Sequence, residues 1–377
     1  MKKVRMMLCG VLAALMLAGC GGSGIGKYAV AEAGTPAWTR KTEDRVDTEA
    51  LRQFGDETAA VVFTGERNEV YSPVSLYVAL GMLTELADGE TKQQVMDLLG
   101  VSDSETIRQW TKALWQQLYH DEQDSALWLG NAAFLNENMA FHKEPLDVLA
   151  EDYYASSYQV PMGSKAADKA IAAWLNRQTN DLLADDTKAI ETKESDLLRL
   201  YNTIYYKAAW QAAFFEGATK QDIFTTADGS KQQVDFMHRT GEGTYRKGEG
   251  YTAAPKSLKY GRMVFVLPEE GVTPESLLQR QGFLSELAEG YEGARVIWSV
   301  PKFDVKSSVD LVDALNTLGV ADAFEADKAD FTPLTDNIAY VSSVMQAARV
   351  KIDEEGVEAA AYTELVCADS AMMEVPP

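Results

Sequence analysis

Lys351-Ile352-Asp353-Glu354-Glu355-Gly356-Val357-Glu358-Ala359-Ala360-Ala361-Tyr362-Thr363 is a stretch near the end of the chain in which charges give way to small side chains. Read with the period of two that a strand imposes, Val357, Ala359, Ala361, Thr363, Leu365 and Cys367 share one face, and Glu358, Ala360, Tyr362, Glu364 and Val366 share the other. One face is apolar and mostly small; the other carries the acids. Such a segment is suited to enter a sheet as an added strand, its small face over a core and its glutamates in water. Gly356 supplies backbone freedom at the pivot. Alanine and glutamate also have high helix propensity, so the same residues fit an exposed, alanine-rich helix. Composition alone does not choose between the two.

Outward from this segment the pattern is one of mixed elements. Leu51, Phe54, Thr58 and Val62 recur at three- or four-residue steps, which predicts an amphipathic helix from Thr48 onward. A second helix is expected after Ser72-Pro73, with Ser72 as the cap and Pro73 in the first turn, its apolar face continuing through Leu76, Leu80 and Leu83. Ala126 to Leu135, Thr203 to Tyr206, Arg262 to Leu267, Arg295 to Val300 and Ala339 to Val344 are rich in β-branched and aromatic residues and read as strands. Helical patterns around Ile171-Trp174-Leu175 and Leu311-Leu315-Leu318 lie between them. Helices and strands mix without strict alternation, which predicts an α+β fold in one domain.

Composition excludes several functions. The 377 residues carry 35 basic and 57 acidic side chains, a net charge of −22, so a nucleic-acid partner is not expected. Three cysteines, Cys9, Cys20 and Cys367, are too few and too far apart for a disulfide scaffold or a structural zinc site. His120, His142 and His238 sit in separate segments and form no metal-binding pair, and no Gly-x-Ser-x-Gly elbow is present. Neither an enzyme nor a cofactor is expected.

The amino terminus reads as an address. Lys2, Lys3 and Arg5 precede an apolar run from Met6 to Met16, followed by Leu17-Ala18-Gly19-Cys20. Small residues directly before a cysteine resemble the bacterial lipoprotein box, which implies a signal peptide over 1–19 and a lipidated Cys20. Residues 20–45 would then be a flexible tether and 46–377 the folded domain, held at the extracytoplasmic bacterial surface by the membrane. An ordinary cleaved signal and a secreted product is the alternative.

The alanine-rich segment resembles the hinge of the reactive-centre loop of serpins, and other serpin signatures stand in order before it. Asn68-Glu69-Val70-Tyr71-Ser72-Pro73-Val74-Ser75 is similar to the family's Asn-x-x-x-Ser-Pro-x-Ser stretch, followed by Gly89-Glu90-Thr91. Asn202-Thr203-Ile204-Tyr205-Tyr206-Lys207-Ala208-Ala209-Trp210 resembles its Asn-x-x-x-x-Lys-x-x-Trp strand. Leu267-Pro268 before Gly271, Val300-Pro301-Lys302-Phe303, Leu318-Gly319-Val320, Asp322-Ala323-Phe324, Asp330-Phe331 and Tyr340-Val341-Ser342 complete the series.

The resemblance implies a central mixed sheet A with sheets B and C and about eight or nine helices, and a monomer that acts as a suicide substrate. An exposed loop, here 354–377, is offered to a serine or cysteine protease; once cut, its arm inserts into sheet A and drags the acyl-enzyme across the molecule. Serpin loop insertion is itself a standard example of strand addition and of stored strain. About a dozen new hydrogen bonds at about 0.5–1.5 kcal/mol each would drive it. The hinge would be Glu354, Glu355, Gly356, Val357, Glu358, Ala359, Ala360 and Ala361. Ser72, Ser75 and Asn202 would form a polar shutter, with Trp210 at the breach where the arm enters.

Gln346 stands where the family commonly has a shutter histidine, which predicts a weak response to pH there. Family spacing from Glu354 places the reactive bond between Ser370 and Ala371, suited to an elastase-like or subtilisin-like serine protease; a longer loop would move it to Met372 or Met373. Cys367 is expected to face inward after insertion, and Tyr362 to lie on the solvent face. Serpins continue past the loop with further strands and a Pro-Phe motif, so the resemblance implies a chain cut short just after the loop. A non-inhibitory serpin-fold binding or scaffold module, or an inactive truncated fragment, is the competing expectation.

Overall fold

The computed structural model describes residues 25–34, 49–65 and 67–370. Its strands are β1 (Ala29–Ala31), β2 (His120–Glu122), β3 (Ser125–Asn136), β4 (Ala155–Val160), β5 (Asp196–Ala209), β6 (Lys220–Thr225) and β7 (Lys231–Gly248). They continue with β8 (Tyr251–Leu258), β9 (Gly261–Pro268), β10 (Glu292–Pro301), β11 (Phe303–Asp310), β12 (Ala339–Ile352) and β13 (Gly356–Asp369). The large sheet runs β1-β4-β3-β5-β13-β12-β11, with β2 against β3. Among the described residues only β3 and β4 pair in parallel, so the sheet is mixed. A smaller sheet, β10-β7-β8-β9 with β6 against β7, is continuous through the long β7: its first residues pair with β6, its middle with β10 and its last residues with β8. The α+β expectation holds.

Six helices of ten or more residues pack around the large sheet: α1 (Glu49–Val62), α2 (Pro73–Leu86), α3 (Gly89–Leu99), α4 (Ser104–Leu118), α5 (Lys143–Asp152) and α6 (Lys165–Gln178). Four shorter ones bring the α-helices among the described residues to ten, slightly more than the resemblance implied. α2 starts as its sequence dictates, with the Ser72 hydroxyl accepting from the Ser75 amide at 3.3 Å and Pro73 in the first turn. It is apolar on all sides and buried, as such a helix must be: Leu76, Leu80, Met82 and Leu86 pack with α1 and α3 against Leu198, Leu200, Val341, Leu365 and Cys367 of the sheet.

The opposite face of the sheet is covered by α6, whose cap is the Ser164 hydroxyl, accepting from Ala167 N at 3.2 Å. Asp168 then ties its first turn to Thr192, accepting from that residue's amide at 2.8 Å and its hydroxyl at 2.7 Å. Ile171, Trp174 and Leu175 turn onto Phe134, Tyr201 and Tyr205. Two helical layers therefore enclose the sheet where β5, β13 and β12 lie.

The structure corrects the reading of residues 20–45 as a uniformly flexible tether. Ile25–Tyr28 form a 3-10 turn with Ile25 buried, and β1 pairs with β4. The folded body thus reaches back to Ile25, because an isoleucine beside an open sheet edge has apolar area to bury. Cys20 and the signal segment lie outside the described residues.

Trp174 contacts the rings of Phe134 and Tyr201 at 6.0 and 6.3 Å and is 3% exposed. Trp174→Ala is expected to cost about 3–5 kcal/mol of stability, read as a lowered denaturation midpoint in urea.

Candidate functional site

β13 is the alanine-rich segment, and it is a strand. It runs antiparallel between β5 and β12, pairing Val357 with Ala208 and Ile352 at one end and Leu365 with Leu200 and Val344 further along. The reactive-loop hinge expected from the sequence therefore lies inside the large sheet and not outside it.

The turn into β13 is built by Asp353, whose carboxylate accepts from the amides of Glu355 at 2.9 Å and Gly356 at 3.1 Å. Trp210, 4% exposed, donates its indole N–H to the Asp353 carbonyl at 2.9 Å and its amide to the Glu355 carbonyl at 2.9 Å. Phe214 N adds a bond to the Glu354 carbonyl at 3.0 Å. Trp210 thus stands at the end of the sheet where β13 begins. At Gly356 the decisive factor is room and not torsional freedom: a Cβ there would stand 2.2 Å from the Ala208 carbonyl oxygen.

Glu354 is buried, and its carboxylate accepts from Lys302 Nζ at 2.7 Å and from the Thr219 hydroxyl at 2.6 Å. Burial alone would raise its pKa, but the hydrogen bonds from Lys302 and Thr219 outweigh it and hold the carboxyl below its ordinary value. Lys302 is raised in turn, chiefly by its hydrogen bond to Glu354. Lys256 lies nearby without a carboxylate in its hydrogen bonding. Its ammonium donates to the Ala212 carbonyl at 2.7 Å and sits 4.3 Å from the Phe214 ring and 5.3 Å from the Trp210 ring. Burial pushes its pKa down to about 8.

Midway along β13, Thr363 meets the shutter residues. Its hydroxyl is 2.9 Å from the Ser75 hydroxyl and accepts from Gln346 Nε2 at 2.9 Å. Gln346 also accepts from the Ser72 amide at 2.6 Å and donates to the Ser72 carbonyl at 3.0 Å. An amide supplies both donor and acceptor without a charge, so this junction contains no group titrating near neutrality. Asn202 sits opposite Thr363 in the sheet, but its side chain donates to Asn131 Oδ1 at 2.8 Å and makes no bond to either serine. It braces β5 against β3.

Two expectations are corrected on the other face. Tyr362 is not on solvent: it is 7% exposed beneath α6 with its ring 6.3 Å from that of Tyr201. Nor are the glutamates left in water. Glu358 accepts from the Tyr205 hydroxyl at 2.8 Å, and Glu364 accepts from Arg199 Nη1 at 2.9 Å and from the Tyr201 hydroxyl. Period two assigned the faces correctly, but nothing in a strand's own sequence says that a helix covers both. Cys367 faces inward as expected, fully buried, which pushes its thiol up to about 12. Asp369 N bonds the Ser195 carbonyl and Ser370 N the Ile338 carbonyl at 2.9 Å. Ala371, Met372 and Met373 lie outside the described residues.

Sequence reasoning gave no role to Lys302, Thr219, Arg199, Tyr201 or Tyr205. Lys302 and Tyr205 stood within the family-like stretches Val300-Pro301-Lys302-Phe303 and Asn202 to Trp210; Arg199 and Tyr201 meet β13 through sheet register, and Thr219 reaches Glu354 from a loop distant in the chain.

A family profile described as Serpin (serine protease inhibitor) matches residues 50–377. Serpin-Z2A of Triticum aestivum is 27% identical over 350 residues, covering 87% of this chain and 88% of its own. Neuroserpin of Homo sapiens is 26% identical over 321 residues, with 80% of this chain and 78% of its own covered. Among solved structures, the thermophilic serpin Tengpin in the latent state superimposes with a TM-score of 0.78 at 25% identity, covering 86% of this chain and 90% of that one. The reactive loop cleaved human Thyroxine Binding Globulin shares the fold with a TM-score of 0.77 at 24% identity, over 85% and 98%.

The Glu354–Lys302 pair sets a pH window. The lowered Glu354 pKa contributes stability above the unfolded carboxylate value of about 4.3, lost as pH falls through the folded value; the raised Lys302 contributes below about 10.4, lost as pH rises past it. Glu354→Gln should lower stability near neutral pH by about 1–2 kcal/mol, less than for a fully buried pair because solvent reaches Lys302. The gap from the unsubstituted chain, followed by thermal unfolding, should close as the pH is lowered below about 4.

Proposed function

The chain belongs to the serpin family, and from that premise we propose that it is a protease inhibitor of the suicide-substrate kind, with residues 354–377 as bait and Gly356–Asp369 as the arm that enters the sheet. One observation carries this reading: β13 is hydrogen-bonded on both edges between β5 and β12. A segment able to occupy that slot can draw a bound acyl-enzyme with it. The chain contributes no catalytic group. Its work comes from backbone pairing on two edges and from burying Val357, Tyr362, Leu365 and Val366, large side chains worth about 1.5–3 kcal/mol each when removed from water.

The extent of β13 supports a reactive bond at Ser370–Ala371. The strand ends at Asp369, so the residue before the bond would lie at the end of the inserted arm. A small Ser370 side chain suits an elastase-like or subtilisin-like serine protease with a shallow pocket. A cysteine protease, which also passes through an acyl-enzyme, is the second target class. The competing reading is a serpin-fold binding module. The small residues Ala359, Ala361 and Thr363 on the shutter side of β13 favour inhibition instead.

Incubation of the full chain with elastase or subtilisin is expected to yield a denaturation-resistant covalent complex. Val357→Arg, which places a charge among Trp210, Ile352 and Ala208, should turn the inhibitor into a substrate. Cleavage of the unsubstituted chain without complex favours the binding module.

A second part of the proposal concerns the address. Lys2, Lys3, Arg5 and the apolar run before Cys20 support lipid anchoring, and the packing of Ile25 leaves Gly21 to Gly24 between the anchor and the folded body. The five residue steps from Cys20 to Ile25 span at most about 18 Å, so the domain would sit close to the membrane. Labelled palmitate is expected to enter the chain in bacterial cells and to be lost with Cys20→Ser; incorporation by both would remove the anchor from Cys20.

A further inference from the structure

Glu364 is one of the three carboxylates of β13, with Glu358 and Asp369, that need a partner on leaving water. Ahead of Glu364, Ala359 to Thr363 bring only small groups, one aromatic ring and two hydroxyls into the slot. Glu364 passes under the layer covered by α6 and retains 13% of its side-chain exposure. A carboxylate in such a place is costly unless it is paired and hydrogen-bonded.

The partner stands on β5. Arg199, 6% exposed, is held by Asp196 Oδ2 through Nε at 2.9 Å and Nη2 at 2.6 Å, and by the Glu191 carbonyl through Nη2 at 2.7 Å. Those bonds come from β5 and the loop before it, and none of their acceptors belongs to β13. They orient the guanidinium fork so that Nη1 meets Glu364 Oε1 at 2.9 Å. Tyr201, two residues on and fully buried, gives its hydroxyl hydrogen to the same oxygen. Glu358, by comparison, accepts from the Tyr205 hydroxyl, and Asp369 accepts from Asn337 Nδ2.

We propose that Arg199 and Tyr201 are a receiving site for Glu364, and that docking of this carboxylate commits the arm to insertion beyond Thr363. Glu364 is then a positioning residue: it fixes the register at which the uncharged second half, Leu365 to Ala368, follows into the core. The inference rests on the loop-insertion reading of the chain.

Cys367, three residues beyond Glu364 and fully buried in β13, reports whether that second half is seated. The full chain, Arg199→Met, Glu364→Gln and the double variant are cleaved with subtilisin and treated with iodoacetamide, and labelling of Cys367 is located by peptide mass. Cleaved Arg199→Met is expected to label at least about tenfold faster than the unsubstituted chain, because the lone carboxylate is expelled. Arg199→Lys should recover part of the protection, and the double variant should label more slowly than Arg199→Met alone. The ratio of covalent complex to free cleaved chain should fall in the same order. Equal protection of Cys367 in Arg199→Met and the unsubstituted chain, or strictly additive effects in the double variant, overturns the proposal. If Arg199→Met does not fold, Tyr201→Phe removes only the hydroxyl and should shift labelling in the same direction; unchanged labelling overturns it. Rapid labelling of the unsubstituted chain after cleavage removes loop insertion itself, and the receiving site with it.

Discussion

The slot between β5 and β12 is one strand wide, and everything else in the molecule is arranged around that width. With β13 in place, β5 and β12 each have a hydrogen-bonded neighbour on both sides. Backbone amides and carbonyls buried without partners are costly, so two strands enclosed between helices on both faces require either a third strand between them or direct pairing with each other. The demand is met by a segment whose backbone pairs along its whole length. Its side chains are admitted on the conditions that the two covering layers impose.

Those conditions differ between the faces. Toward α2 the strand offers Thr363 to a junction of hydroxyls and one amide, where Ser72, Ser75 and Gln346 satisfy one another without charge. Toward α6 it presents acids, and tyrosines and an arginine on β5 receive them. At the entry, the Glu354–Lys302 pair and the Trp210 indole hold the turn where the strand begins. Close approach then does what bulk cannot: Gly356 passes the Ala208 carbonyl at a distance no side chain would allow.

Local patterning recovered the elements with strong signals. Helix α2 begins at its serine cap, α6 carries the Ile171, Trp174 and Leu175 stripe, and β3, β9 and β10 lie where β-branched and aromatic residues cluster. Strands whose residues are mixed in polarity were harder to see. β7 extends over 18 residues with exposed and half-buried positions alternating, and β11 reads as charged, so neither stood out from loop composition. The ambiguity of β13 between strand and helix has the same origin: alanine and glutamate prefer a helix in isolation, and pairing on two edges overrides that preference.

The two-faced character of β13, the capped helices and the family signatures are legible in the chain's order of residues, since each depends on residues close together in it. Tertiary structure alone decided that both faces of β13 would be covered, that Tyr362 would be buried, and that Arg199 would meet Glu364 across 165 positions. These are matters of register between strands and of which helix lies over them. Neither is encoded in the alternation of a single segment, because the same pattern of side chains fits a sheet open to water on one side as well as one enclosed on both.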